Sequence, residues 1–255
     1  MYFAAYQDKI HVTIPCGLKQ TLSGKPNLIL EPPRSKEGTR VGGYIDRANG
    51  HCINHLIVGN LGKLEILLLS CDDGDVLAYY THTIQVAVES KSEPQRDIRP
   101  FFHENVGISA WGLAVHEQSR IIAVSSNNRE VVIFKYGCTS ADTSDRTTYE
   151  GYDLDLLDLN DLDLIEEKAV LFPTITQGQS TNLSNSFRKV LKLGPEGHNI
   201  PSIDFSNDSN GQAHSVLATD IVGNLWIFDI WGDDQESTKR LPTIQKAPAR
   251  GNSVM

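Results

Sequence analysis

Three stretches of this chain repeat one pattern: an apolar run, a tight polar turn, then a second run rich in β-branched and aromatic residues. They end in Gly74-Asp75-Val76-Leu77-Ala78-Tyr79-Tyr80, Arg129-Glu130-Val131-Val132-Ile133-Phe134-Lys135-Tyr136 and Gly223-Asn224-Leu225-Trp226-Ile227-Phe228-Asp229. A repeated hairpin unit constrains the fold strongly. One small antiparallel sheet cannot bury both of its faces alone, so copies must stack on one another. The pattern therefore predicts an all-β chain built as a β-propeller.

The clearest unit runs from Cys52 to Tyr80, with strands at Cys52 to Val58, Glu65 to Cys71 and Val76 to Tyr80, and His82 to Glu89 is expected to complete it as an outer strand. A second unit places strands at Ala110 to Val115, Arg120 to Ser125 and Val131 to Tyr136. A third uses Ile200 to Phe205, Ala213 to Thr219 and Asn224 to Ile230. Tyr2 to Ile14 reads as two short strands around Gln7-Asp8, the outer part of a blade whose remainder comes from elsewhere.

The expected organisation is propeller blades over 1–136 with a connection at 15–50, a polar and acidic insertion at 137–192, a further blade at 193–231, and a flexible tail at 232–255. Within the connection, Pro32-Pro33 breaks any long element and Asn27 to Glu31 supplies an edge strand. Dense Asp and Glu between Tyr152 and Glu167 mark the insertion as solvated, although the leucine spacing there also suits a short helix. With so few blades, the expectation is an incomplete propeller or one sector of a larger one. A self-contained four-bladed ring is the alternative.

Composition narrows the function classes. The 255 residues are 40% hydrophobic and carry a formal charge of -9, which disfavours a broad nucleic-acid-binding face. Cys16, Cys52, Cys71 and Cys138 are scattered, as in reduced intracellular proteins. The start lacks the basic flank and apolar core of a signal peptide, and apolar runs are only strand-length. Asn182-Leu183-Ser184 and Asn207-Asp208-Ser209 then read as chance glycosylation matches.

Asp72, Asp73 and Asp75 read first as residues of an Asp-Gly hairpin turn, with metal binding and partner contact as the other readings. His51, Cys52, His55 and Cys71 lack paired Cys-x-x-Cys spacing and alternate across a strand, which favours core or hydrogen-bonding roles over zinc. His103, Glu104 and Asn105 sit before an apolar strand, on an expected connecting loop that suits hydrogen bonding between blades or partner recognition. Phe101 and Phe102 suit burial between blades or an exposed binding patch. His116 occupies a turn, where it can satisfy backbone groups. Gly59 to Gly62 lacks the lysine and serine of a phosphate loop. No catalytic, cofactor-binding or metal residue is assigned.

Two segments carry a family resemblance. One is His51-Cys52-Ile53-Asn54-His55-Leu56-Ile57-Val58-Gly59-Asn60-Leu61-Gly62 with Glu65 to Val76. The other runs Arg99-Pro100-Phe101-Phe102-His103-Glu104-Asn105-Val106-Gly107, then Ser109 to His116 and Ile121 to Asn127. Together they resemble a fungal WD-repeat-like family named for constitutive transcription of ribonucleotide reductase genes. The resemblance is strong over 51–136, weaker over 198–230 and absent from the acidic insertion. It implies a WD40-like propeller and a non-enzymatic scaffold in the nucleus or cytoplasm, acting in ribonucleotide reductase gene transcription and the DNA-damage response. It also implies protein partners from transcription-regulatory or cullin-ligase complexes, with a substrate-side adaptor role as an alternative. The blade-ending Trp-Asp pair is replaced here by Ala78-Tyr79, Phe134-Lys135 and Phe228-Asp229, and the Trp-Asp-x-Arg docking signal of ligase adaptors is missing from these ends. A propeller hydrolase or metal-binding enzyme is the rival class, and a fragment that needs further blades to fold is a third.

Overall fold

The structure, a computed structural model, describes residues 1–90, 98–135, 187–232 and 238–241. Four antiparallel sheets follow one another along the chain. Sheet one holds β1 (Tyr2–Tyr6), β2 (Lys9–Thr13) and β3 (Leu28–Leu30). A short helix α1 (Lys36–Val41) leads to sheet two: β4 (Ile53–Leu61), β5 (Leu64–Cys71), β6 (Asp75–Tyr80) and, after helix α2 (Thr81–Glu89), β7 (Phe102–Asn105). Sheet three holds β8 (Ala110–His116), β9 (Ile121–Ser126), β10 (Glu130–Lys135) and β11 (Phe187–Lys192). Sheet four holds β12 (Ser202–Asn207), β13 (Ala213–Thr219), β14 (Leu225–Asp229) and β15 (Thr238–Leu241).

The near-continuous apolar runs are explained by burial on both faces. Side chains alternate along a strand. On β5, Leu67, Leu69 and Cys71 therefore meet Ile10, Val12 and Leu30 of sheet one, while Ile66 and Leu68 meet Leu113, Ile122 and Val124 of sheet three. On β9, Ile122 and Val124 face sheet two, and Ile121 and Ala123 face Ile203 and Val216 of sheet four. Each fully buried Leu or Ile contributes roughly 1.5–3 kcal/mol. The matching sheets that contain residues 52–80 and 110–135 thus lie side by side, with β4 against β8 and β8 against β12.

The turn between β1 and β2 lies at the same end as the turn between β5 and β6. The Ile53 N–H donates to the Gln7 carbonyl, and the Asp72 N–H to the Cys52 carbonyl, both at 2.8 Å. β1, β2 and β3 hence take the second, third and fourth positions of a sheet. Among the described residues, sheet one has no counterpart of β4, β8 and β12.

Three expectations are corrected. His82 to Glu89 is not an outer strand but the body of α2. Thr81 and Ile84 are buried and Ala87 and Val88 pack on the same cluster, a helical spacing, while Val86 is 42% exposed. The alternation of Ile84, Val86 and Val88 mimicked a strand. The fourth strand is β7, so Phe102 to Asn105 lie in the sheet and not on a connecting loop; Ala78 faces Phe102 and Asp75 faces Asn105. β11 and β15 belong to sheets three and four, although they fall inside the expected insertion and tail. Cys138, the acidic run at 152–167, Asn182 and residues beyond 241 lie outside the described residues. Among the described residues, no helix is long and apolar enough to cross a membrane.

Candidate interaction site

Asp72, Asp73 and Asp75 form the turn between β5 and β6, and all three are fully buried. A buried carboxylate needs donors around it. The segment between β3 and β4 supplies most of them. Asp72 Oδ2 accepts from the backbone N–H of Ile45 at 2.7 Å and of Asp46 at 3.3 Å, and its Oδ1 accepts from the Ser109 hydroxyl at 2.6 Å. Asp73 Oδ2 accepts from Arg34 Nε and faces His51 Nδ1, each at 2.8 Å. Asp75 Oδ2 accepts from the Ser35 N–H at 2.7 Å, and its Oδ1 accepts from Asn105 Nδ2, also at 2.7 Å.

Burial alone would push the Asp75 carboxyl up. Hydrogen bonds from His103, Asn105 and Ser35 outweigh it and hold the group below the usual carboxylate range. Gly38 completes the contact, because a Cβ there would sit 2.7 Å from Asp75 Oδ2 and 2.9 Å from Asp73 Oδ2. The acidic turn is therefore an internal clamp. It fixes Arg34 to Asp46 on the end of sheet two.

This corrects the partner-contact reading of Asp72, Asp73 and Asp75, since no part of them reaches the surface. The other candidates are also drawn inward. Phe102 is 3% exposed and meets the Phe134 ring edge-on, with centroids 5.1 Å apart. Phe101 is half-buried and stacks on Tyr80 at 4.0 Å; burial pushes the Tyr80 hydroxyl up to about 12. His103 Nε2 lies 3.4 Å from Asp75 Oδ2, and Asn105 also donates to the Asp73 carbonyl at 3.1 Å. Burial raises the Glu104 carboxyl, with the charges of Arg188 and His103 acting against it. His116 satisfies a backbone group, accepting from the Ser119 N–H at 3.0 Å, and Nε2 reaches Asn207 of sheet four at 2.9 Å.

His51, Cys71 and Asp73 each bring a potential metal-ligand atom within 4.8 Å of the others. The fit to an ion is poor. Asp73 Oδ2 already serves Arg34 and His51, and burial, then the charges of Asp73 and Asp75, pushes the Cys71 thiol well up, away from the thiolate a metal needs. His55 is exposed and takes no part, because a bulge between Ile53 and His55 breaks the strand alternation.

What the clamp presents to solvent belongs to the connection expected over 15–50. Val41, Gly42, Gly43, Tyr44 and Arg47 line an open pocket of about 480 Å³ together with Ile108 from the β7–β8 connection. Tyr44 and Ile108 are 58% and 42% exposed. The available signal was Tyr44-Ile45-Asp46-Arg47, an aromatic and an arginine in a Gly-rich stretch.

Comparison with known proteins adds one decisive match. The CRT10 family model covers residues 45–245. The chain belongs to the CRT10 family. Membership bears out the resemblance carried by residues 51–136, and the matched span extends from Ile45, in the connection before β4, through sheet four. No curated protein matches the chain. Among solved structures it is similar to the Dos1 propeller, at 13% identity and a TM-score of 0.40, over 87% of this chain and 44% of that one. The chain thus spans less than half the length of that relative.

Proposed function

We propose that this chain is a sector of a β-propeller that works as a non-enzymatic interaction scaffold. Its setting would be regulation of ribonucleotide reductase gene transcription and the DNA-damage response, in the nucleus or the cytoplasm. The observation that carries the scaffold reading is the wedge packing. Inner strands β4, β8 and β12 adjoin, and apolar clusters fill the spaces between successive sheets. Such stacking leaves loops and rims, not an enclosed cavity, as the working surface. The carboxylates Asp73 and Asp75, which could suggest metal or acid–base chemistry, are buried in the clamp and bonded to Arg34, Ser35 and His51. CRT10 membership supports the transcriptional setting.

The test uses the tagged full-length protein. Deletion of its gene is expected to change ribonucleotide reductase transcript levels, and the purified protein to carry stoichiometric protein partners. Unchanged transcripts together with a monomeric, partner-free protein would overturn the proposal, as would a purified hydrolytic activity lost on chelation.

A further inference from the structure

Resting on the sector reading and naming what completes it, we infer that two copies of this chain close head to tail into one ring. Sheet four of each copy packs on sheet one of the other, and the residues after β15 enter that sheet as its inner strand. Both ends of the stack are open. Apolar clusters join sheets one and two, two and three, and three and four, and among the described residues none joins four to one. The two ends also differ from each other, which is the condition for a head-to-tail joint.

Sheet four ends in a face that matches two covered ones. Ser70, Ser125 and Thr219 hold one place in the repeat, paired with Val76, Val131 and Leu225. The Ser70 hydroxyl donates to the Trp111 carbonyl at 2.9 Å and the Ser125 hydroxyl to the Ile200 carbonyl at 2.7 Å, so each clips its sheet to the start of the following inner strand. Thr219 is exposed, and among the described residues its hydroxyl reaches only the Ser202 carbonyl of its own sheet, at 3.5 Å. Beside these hydroxyls, sheet two turns Leu68, Val76 and Ala78 to sheet three, and sheet three turns Ala123, Val131 and Ile133 to sheet four. The matching residues of sheet four are Leu217, Leu225 and Ile227, which are partly exposed, and Ile221 in the adjoining turn is 63% exposed.

Sheet one lacks what that face receives. β1 stands where β5 and β9 stand, yet none of its residues is buried, whereas every residue of β9 is. Tyr6 and Lys9 close a two-residue turn, so alternation aims the N–H and C=O groups of Phe3 and Ala5 at the open edge. On the face turned away from sheet two, Tyr2 and Tyr6 are 50% and 62% exposed. Chain order names the segment that fills the gap. β3, β7 and β11 are each followed by the inner strand of the next sheet. After β15 the same step leads into 242–255, where Thr243 to Ala247, between Pro242 and Pro248, matches β1 in length. Sheet one of the same copy lies at the far end of the stack, so the sheet one they meet is a second copy's. Two sectors of four sheets stay within the usual range of about 4–8 blades, and one two-fold axis generates both joints.

The test is the mass of the purified full chain by sedimentation equilibrium. A dimer of the 28.2 kDa chain is expected. Ala5→Pro removes an N–H from the open edge and leaves the β1–β2 bonds intact, Ile221→Asp puts a charge beside the free face, and a third variant stops at Leu241. Each should raise the dimer dissociation constant about tenfold or more, with far-ultraviolet circular dichroism unchanged. A mixture of Ala5→Pro and Ile221→Asp should associate more tightly than either alone, because a mixed pair keeps one intact joint. A monomeric parent, or a dimer that all three variants leave unchanged, overturns the proposal. Loss with Ile221→Asp alone assigns a joint between two copies of sheet four and overturns it, as does growth into open filaments with concentration. A monomer whose Ala5 amide resists hydrogen exchange until the chain is cut at Leu241 assigns the strand to the copy's own sheet one, which also overturns it. A monomeric chain that still alters ribonucleotide reductase transcripts fails the closure alone and leaves the scaffold role standing.

Discussion

Ser35 grips Asp75 with two bonds: its N–H donates to Oδ2 at 2.7 Å and its hydroxyl to Oδ1 at 2.5 Å. The same hydroxyl accepts from the Gly38 N–H at 2.8 Å, so Ser35 is both the N-cap of α1 and the rivet that holds α1 to sheet two. Ser35→Ala removes a cap and leaves a buried carboxylate short of a donor. A loss of about 2–3 kcal/mol is expected in urea unfolding. The mutant should also expose the 34–46 segment to limited proteolysis before global unfolding.

The lowered Asp75 carboxyl gives the stability a defined pH dependence. Its folded value lies below the ordinary aspartate value of 3.8, so its contribution is present above that pH and is lost as pH falls through the folded value. Unfolding free energy measured from pH 6 down to pH 2 should drop less steeply in Asp75→Asn than in the parent. Parallel curves would show that the carboxyl is not specially held.

Gly74 and Arg129 occupy the same place in successive turns, and both have positive φ, +85° and +62°. At Gly74 a Cβ would lie 1.7 Å from the Gly107 carbonyl oxygen, so Gly74→Ala must move backbone and should cost several kcal/mol, roughly 3 or more. Arg129 is an exposed side chain in a conformation that disfavours one. Arg129→Gly should therefore be neutral or stabilising, by up to about 1 kcal/mol. In thermal melts Gly74→Ala should lower the midpoint and Arg129→Gly should leave it unchanged or raise it.

Phe102 separates core from surface. Phe102→Ala empties a site against Phe134 and should cost about 3–5 kcal/mol. Phe101→Ala, at the half-buried neighbour, should cost less, because Tyr80 still covers part of the site. Equal losses by calorimetry would place both rings in the core.

Thiol labelling checks the packing of sheet one on sheet two. Cys71 is fully buried in their shared cluster with its thiol pushed up, whereas Cys16 is exposed. Under native conditions a thiol reagent should modify Cys16 quickly and Cys71 only on unfolding.

The hairpins were legible because their information is local. β5–β6, β9–β10 and β13–β14 announce themselves as apolar runs separated by short polar turns, and period-two burial on both faces explains why those runs hardly alternate in polarity. The α2 segment was misleading because Ile84, Val86 and Val88 satisfy a strand pattern as well as part of a helical one. The roles of Phe101 to Asn105 were hidden by an intervening helix. Nothing near them in sequence says that β6 is their partner.

The amino-acid order by itself determined the repeating hairpin unit, the all-β class and family membership, since each rests on neighbouring residues or on a whole pattern. Tertiary structure alone decided that the acidic turn is interior. Its donors Arg34, Ser35 and His51 come from 22 to 40 residues away, and a carboxylate is buried only where such distant donors converge. The same convergence turned a Pro- and Gly-rich connection into the fixed lip of a pocket.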